Sequence, residues 1–131
     1  MNVKKYLTLE EAQRLVPEVR RRVLQIVKLS RAIELISEIE ITYDDESESM
    51  FSEIKFNRKF HSMCYSMFTH MESLIRKGAF LDGIDMGTVK FYSIHSGKPV
   101  VLCWRIGDRH IKYWHNVDED FTDKKPISKL R

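Results

Sequence analysis

At 131 residues and 15.6 kDa, with 43% of residues hydrophobic, the chain has the size of one domain, 1–131, that buries a core without staples. Lysine and arginine number 22 against 19 acids, and a net charge of +3 is too small to indicate nucleic acid by itself. The two cysteines, Cys64 and Cys103, make neither a disulfide framework nor a metal signature. No apolar leader follows Met1, and no tract approaches the ~20 apolar residues of a membrane span, so a cytoplasmic protein with no membrane partner and no cofactor is expected.

The first expected element is a helix over 8–41. Thr8 stands three residues before Glu11, a capping box that satisfies otherwise orphaned backbone amides. Leu15, Val16, Val19, Val23, Ile26, Val27, Ile33, Ile36 and Ile39 then recur at the spacing that lines one helical face. Pro17 implies a kink, the favoured reading, or a short helix ending before a second. The opposite face, with Arg20, Arg21, Arg22, Lys28, Arg31, Glu34 and Glu38, reads as solvated. Residues 43–49 are acidic and nearly devoid of apolar side chains, which makes them a connector.

A second helix is expected over 50–77. It carries two apolar stripes, one through Ile54, His61, Tyr65 and Phe68, the other through Phe56, Phe60, Met63, Met67 and Leu74. Two stripes imply burial on two sides: one against the first helix as a coiled-coil-like antiparallel hairpin, the other against the sheet or a second copy. Gly78 fits a C-terminal cap, with Arg76 and Lys77 where the helix dipole favours cations.

Beyond Asp82 the periodicity changes to two. Thr88 to His95, Pro99 to Ile106 and His110 to Asn116 read as strands of a meander over 88–116, with tight turns at Ser96-Gly97 and Gly107-Asp108 and a tail over 117–131. Moving either turn by one residue shifts the pairing by two positions, so the faces are expected to survive an error in register. Val89, Phe91, Ser93, His95, Val100, Leu102, Trp104, Ile106, Ile111, Tyr113 and His115 form the face expected to meet the helices. Lys90, Tyr92, Ile94, Val101, Cys103, Arg105, His110, Lys112 and Trp114 form the other, which is more apolar than contact with water requires. The expected fold is α+β: two long antiparallel helices, then a three-stranded antiparallel β-meander packed on them.

Three blocks, "YLTLEEAQRLVPEVRR", "GKPVVLCWRIGDRHIKYWH" and "DFTDKKPI", resemble the prokaryotic family of domain of unknown function 2203 over most of the chain. The pattern falls on Leu102, Cys103, Trp104 and Arg105, on Gly107 and Asp108, on Tyr113, Trp114 and His115, and on Pro126 and Ile127. Asp120 and Lys125 stand where the family has glycine and arginine, and Lys90 where an acid is common. Lysine lacks the bidentate fork of arginine, so the resemblance carries no anion-binding role onto Lys125. It implies the fold outline and no activity.

Four groupings carry candidate chemistry. Cys103 with His115 could form an activated thiol, but the expected faces put them on opposite sides of the sheet, and a buried cysteine is the plainer reading. His61 and Cys64, three apart on a helix, could share a metal with His115 or His95, although no CxxC or HExxH accompanies them and core packing explains them as well. Met63, Met67 and Met71 could make an adaptable binding surface, but at helical spacing they fill a core.

The fourth grouping is the outer face, an interaction surface of Tyr92, Ile94, Cys103, Arg105, Lys112 and Trp114. Its aromatics and cations could stack bases and hold phosphates, or be buried against a second copy. No phosphate loop, paired-carboxylate motif or nucleophile elbow is present in the sequence, so no residue is assigned as catalytic. The expected function is a non-enzymatic, self-associating interaction module, a homo-oligomer and preferably a dimer. A nucleic-acid-binding or ribosome-associated module and a metal or small-ligand protein are the alternatives.

Overall fold

The computed structural model describes residues 5–42 and 49–130, with side chains over 5–38 and 53–130. The acidic connector lies outside the described residues, apart from Ser49, which opens the second helix. Helix α1, Leu9–Thr42, begins at the expected box: the Glu11 amide donates to the Thr8 hydroxyl at 3.1 Å, and the Thr8 amide to the Glu11 carboxylate at 3.0 Å. That amide bond holds the Glu11 carboxyl below its ordinary value. Pro17 stands inside one continuous helix, so the alternative of two shorter helices is set aside.

Helix α2, Ser49–Arg76, returns antiparallel to α1, as the contacts Glu18 to Lys77 and Arg22 to His70 show. Lys77 and Arg22 converge on the Glu18 carboxylate, which the Lys77 ammonium holds low. Arg22 also donates to Nδ1 of His70 at 3.2 Å, and burial together with the guanidinium lowers the imidazole pKa. The Gly78 amide closes α2 by donating to the Ile75 carbonyl at 3.0 Å.

The sheet is an antiparallel meander, but it has five strands in the order β1 to β5 where three were expected. They are β1 Ala79–Gly83, β2 Thr88–His95, β3 Lys98–Arg105, β4 Tyr113–Asn116 and β5 Lys125–Pro126. Ser96 and Gly97, at φ 53° and 77°, supply the two left-handed positions of the expected two-residue hairpin turn, and His95 therefore pairs Lys98. Tyr6 bridges Tyr92 in parallel, and the Leu7 amide donates to the Tyr92 carbonyl at 2.8 Å.

The core lies between the hairpin base and the inner sheet face. Ala12, Val16, Val19, Val23 and Ile26 of α1 and Leu74 of α2 meet Ala79, Val89, Phe91, Val100, Leu102 and Trp104, all buried.

The expected faces hold on β2 and β3 and invert on β4. A two-residue turn at Gly107-Asp108 would set Leu102 opposite Tyr113, whereas it opposes Trp114. A one-residue slip turns the whole strand over. Trp114, expected outward, is therefore buried inward at 7% exposure, while Tyr113 and His115, expected inward, face outward.

The cause lies in residues 106–112, which make a pinned loop instead of a continuation of the strands. The Asp108 amide turns back to the Arg105 carbonyl, and the Asp108 carbonyl accepts from the Trp104 indole at 2.9 Å and from Arg20 at 3.2 Å. Gln13 of α1 takes both backbone groups of Ile111, which would otherwise pair with β3. The strand expected from His110 accordingly starts at Tyr113.

Candidate functional site

The outer sheet face is built by side chains that alternate away from the core. Its rows run Phe80, Lys90, Cys103, Tyr113 and, one step along, Tyr92, Val101, His115. Above the first row the tail folds back: the Ile127 amide donates to the Lys112 carbonyl at 2.9 Å. A short 3-10 turn, Phe121–Asp123, is closed by the Asp123 carboxylate accepting from the Asp120 amide at 3.2 Å. Between tail and sheet lies a cleft of about 260 Å³ lined by Cys103, Trp104, Arg105, Asp108, Lys112, Tyr113, Phe121 and Lys124.

Cations and rings interleave in this cleft. The Arg105 guanidinium lies 5.2 Å from the Phe121 ring centre, and the Lys124 ammonium lies 4.4 Å from Phe121 and 5.1 Å from Tyr113. Neighbouring lysines are paired differently. Lys90 meets Asp82 at 3.3 Å, Lys112 meets Asp108 at 3.7 Å, and Lys125 meets Glu119 at 2.7 Å while also covering Trp114 at 4.8 Å. The Lys125 hydrogen bond, with the Asn116 amide, draws the Glu119 carboxyl down to about 2.

Four of the six residues assigned to the interaction surface, Tyr92, Ile94, Cys103 and Arg105, stand on the outer face, and Lys112 lines the cleft from the loop. Trp114 does not; its indole donates to the Pro126 carbonyl at 3.2 Å from the inner side. Phe121 and Lys124 fall outside the expected interaction surface, although an aromatic and a lysine pair within "DFTDKK" carry the same combination as the sheet face.

The inversion of β4 also brings Cys103 and His115 to one face, as diagonal neighbours on adjacent strands. Their chemistry remains separate. His115 is 2% exposed and its Nδ1 lies 2.7 Å from the Asn116 carbonyl, a contact that requires Nδ1 to carry the proton, while Nε2 has no hydrogen-bond partner among the described residues. Burial pushes the Cys103 thiol from its ordinary 9.0 up to about 11, the opposite of an activated nucleophile.

Alkylation of Cys103 by iodoacetamide at neutral pH is therefore expected to run about a hundredfold slower in the folded protein than in the denatured chain. Peptide mass spectrometry reads the rate, and equal rates would contradict the buried thiol.

The metal candidates do not converge. His61 is exposed and Cys64 half-buried on α2, which packs on the side of the sheet opposite His115. Among the described residues no three histidine, cysteine or acidic side chains are grouped to hold a metal ion, and no helix is long and apolar enough to cross a membrane.

The far half of the hairpin is a second surface. No described side chain beyond Ile26 on α1, or ahead of Leu74 on α2, is buried. Phe56, Phe60, Met63 and Met67 are half-covered along the seam, whereas Leu35, Ile54, Tyr65 and Phe68 are exposed, Tyr65 at 76% and Phe68 at 65%.

A family model described as an uncharacterized conserved protein, DUF2203, matches residues 5–127. The chain belongs to this family. The DUF2203 span takes in α1, α2, all five strands and both tail residues of the cleft, Phe121 and Lys124. No curated protein and no solved structure matches the chain.

Proposed function

We propose that this chain is a self-associating interaction protein, a dimer formed through the far half of its helical hairpin, with the outer sheet face of each copy left open for binding. The carrying observation is that the stretch of α1 past Val27 and of α2 ahead of Met67 lies beyond the core, with an apolar surface that no described residue buries. Two packed helices give a single layer whose seam stays half-wet, and a second such pair completes a four-helix bundle with a closed core.

Charge favours a second copy as the occupant. Past Lys28 and Arg31, the end of α1 carries Glu34 and Glu38, while the facing part of α2 carries Lys55, Arg58 and Lys59 against one acid, Glu53. A two-fold axis sets α1 of one chain beside α2 of the other with opposite signs facing. The sequence shows no nucleophile elbow, paired-carboxylate motif or phosphate loop, which supports a non-enzymatic role.

Light scattering after size exclusion is expected to give twice the 15.6 kDa chain mass for the natural protein. One chain mass is expected when Tyr65→Glu and Phe68→Glu are combined. Both side chains are exposed in the monomer, so the pair leaves the fold intact by circular dichroism. A natural protein that stays monomeric at high micromolar concentration overturns the reading. A dimer split by Ile94→Glu and untouched by the α2 pair moves the interface to the sheet.

A further inference from the structure

We infer that the cleft between the outer sheet face and the tail is a binding site for a small phosphorylated ligand, whose phosphate is held by Arg105 and Lys124. This site is independent of the helical surface and of whether the chain dimerises there.

The first argument is the contrast among the cations. Lys90, Lys112 and Lys125 each stand within 4.0 Å of a carboxylate, whereas Arg105 and Lys124 have none within that distance among the described residues. Both lie instead against Phe121. An aromatic ring positions a cation without cancelling its charge, so two like charges are held at one cleft with their hydrogen-bond donors unspent. An oxyanion supplies the missing countercharge, and arginine and lysine are the two side chains that hold phosphate best.

The rest of the lining agrees with that ligand. Cys103 at the cleft carries a thiol that stays protonated, and so adds no negative charge. The single carboxylate of the lining, Asp108, is engaged with Lys112. A volume of about 260 Å³ falls just below the roughly 300–1,000 Å³ usual for small-molecule sites, which suits a phosphate ester with a short organic portion.

Size and arrangement also speak against a nucleic-acid strand. A strand requires cations spread along a track, but here the uncompensated pair converges on one ring, and the remaining outer face offers Phe80, Tyr92, Ile94 and the paired Lys90.

The test is titration of the full chain with inorganic phosphate and with glycerol 3-phosphate at low ionic strength, followed by amide chemical shifts and by calorimetry. Saturable binding is expected, with shifts confined to residues around Arg105, Tyr113, Phe121 and Lys124, and with the ester tighter than phosphate. Arg105→Gln combined with Lys124→Gln is expected to weaken it by about tenfold or more, the loss of two charge-assisted contacts.

Phe121→Leu keeps both charges and releases them, so a smaller weakening is expected there. Lys90→Gln, outside the cleft, leaves binding unchanged. Lys124→Gln alone changes an exposed side chain and keeps the test valid if the double variant loses its fold.

Three results overturn the proposal. Sulfate and chloride matching phosphate, with shifts scattered over the basic surface, means an adventitious ion only. Strong, steeply salt-dependent binding of a short single-stranded RNA with no binding of the ester assigns the face to nucleic acid. Ester affinity that Arg105→Gln and Lys124→Gln leave unaltered places the ligand elsewhere.

Discussion

Trp104→Ala is expected to lower the unfolding free energy by about 3–5 kcal/mol, the range for truncating a large aromatic inside a packed core. The side chain is fully buried, stands opposite Val89 in the β2–β3 pair, and lies among the residues that α1 and α2 lay on the inner face. Its indole also donates to the Asp108 carbonyl, so truncation frees one anchor of the loop that sets the orientation of β4. Urea unfolding followed by circular dichroism measures the loss. A change under about 0.5 kcal/mol, the ordinary scale for a surface substitution, would falsify the core position.

Replacing three glycines by alanine separates conformational strain from steric conflict. Gly87→Ala is expected to cost about 2–4 kcal/mol, because strain and overlap add. Its φ is +60°, and a Cβ would stand 2.8 Å from Cβ of Ile106, whose amide is bound to the Gly87 carbonyl at 2.9 Å and cannot easily retreat. Gly97→Ala, at φ +77° with nothing within 4 Å, carries strain alone and is expected to cost about 1–2 kcal/mol. Gly83→Ala meets nothing within 4 Å and has no left-handed φ, so its effect should stay within about 0.5 kcal/mol. Thermal unfolding of the three variants gives the order. A Gly87 variant no worse than the Gly97 variant would mean that the Ile106 contact relaxes freely.

Elements with strong local chemistry were legible from the residues. Thr8 with Glu11 marked the start of α1, Gly78 the end of α2, and Ser96-Gly97 the central hairpin, because capping and left-handed turns depend on residues adjacent in sequence. Val89, Phe91, Leu102 and Trp104 were placed inward by alternation alone.

The errors came where distant groups decide. Strand β1 has only five residues, with a charge and a glycine among them, and β5 has two, so neither makes a periodic run. The reversal of β4 depends on Gln13 and Arg20, about ninety residues upstream, capturing backbone groups of the 106–112 loop. No pattern within the loop announces that. The site was half-legible for the same reason: Arg105 and Lys112 lie within the span expected as the meander, whereas Phe121 and Lys124 join them only after the tail folds back.

The two-residue β5 and the Tyr6–Tyr92 bridge bear on how copies of this chain can meet. A sheet margin with free amides and carbonyls invites another chain to extend it and seeds aggregation. Here one margin ends in a strand too short to template anything, and Pro126 removes one of its two donors. The other is divided between β1, whose pairing is irregular between Leu81 and Gly83, and the Tyr6 segment that covers β2 beyond it. Growth by strand addition is thereby discouraged at both sides, which leaves the helical dimer proposed above without competition from open-ended stacking of sheets.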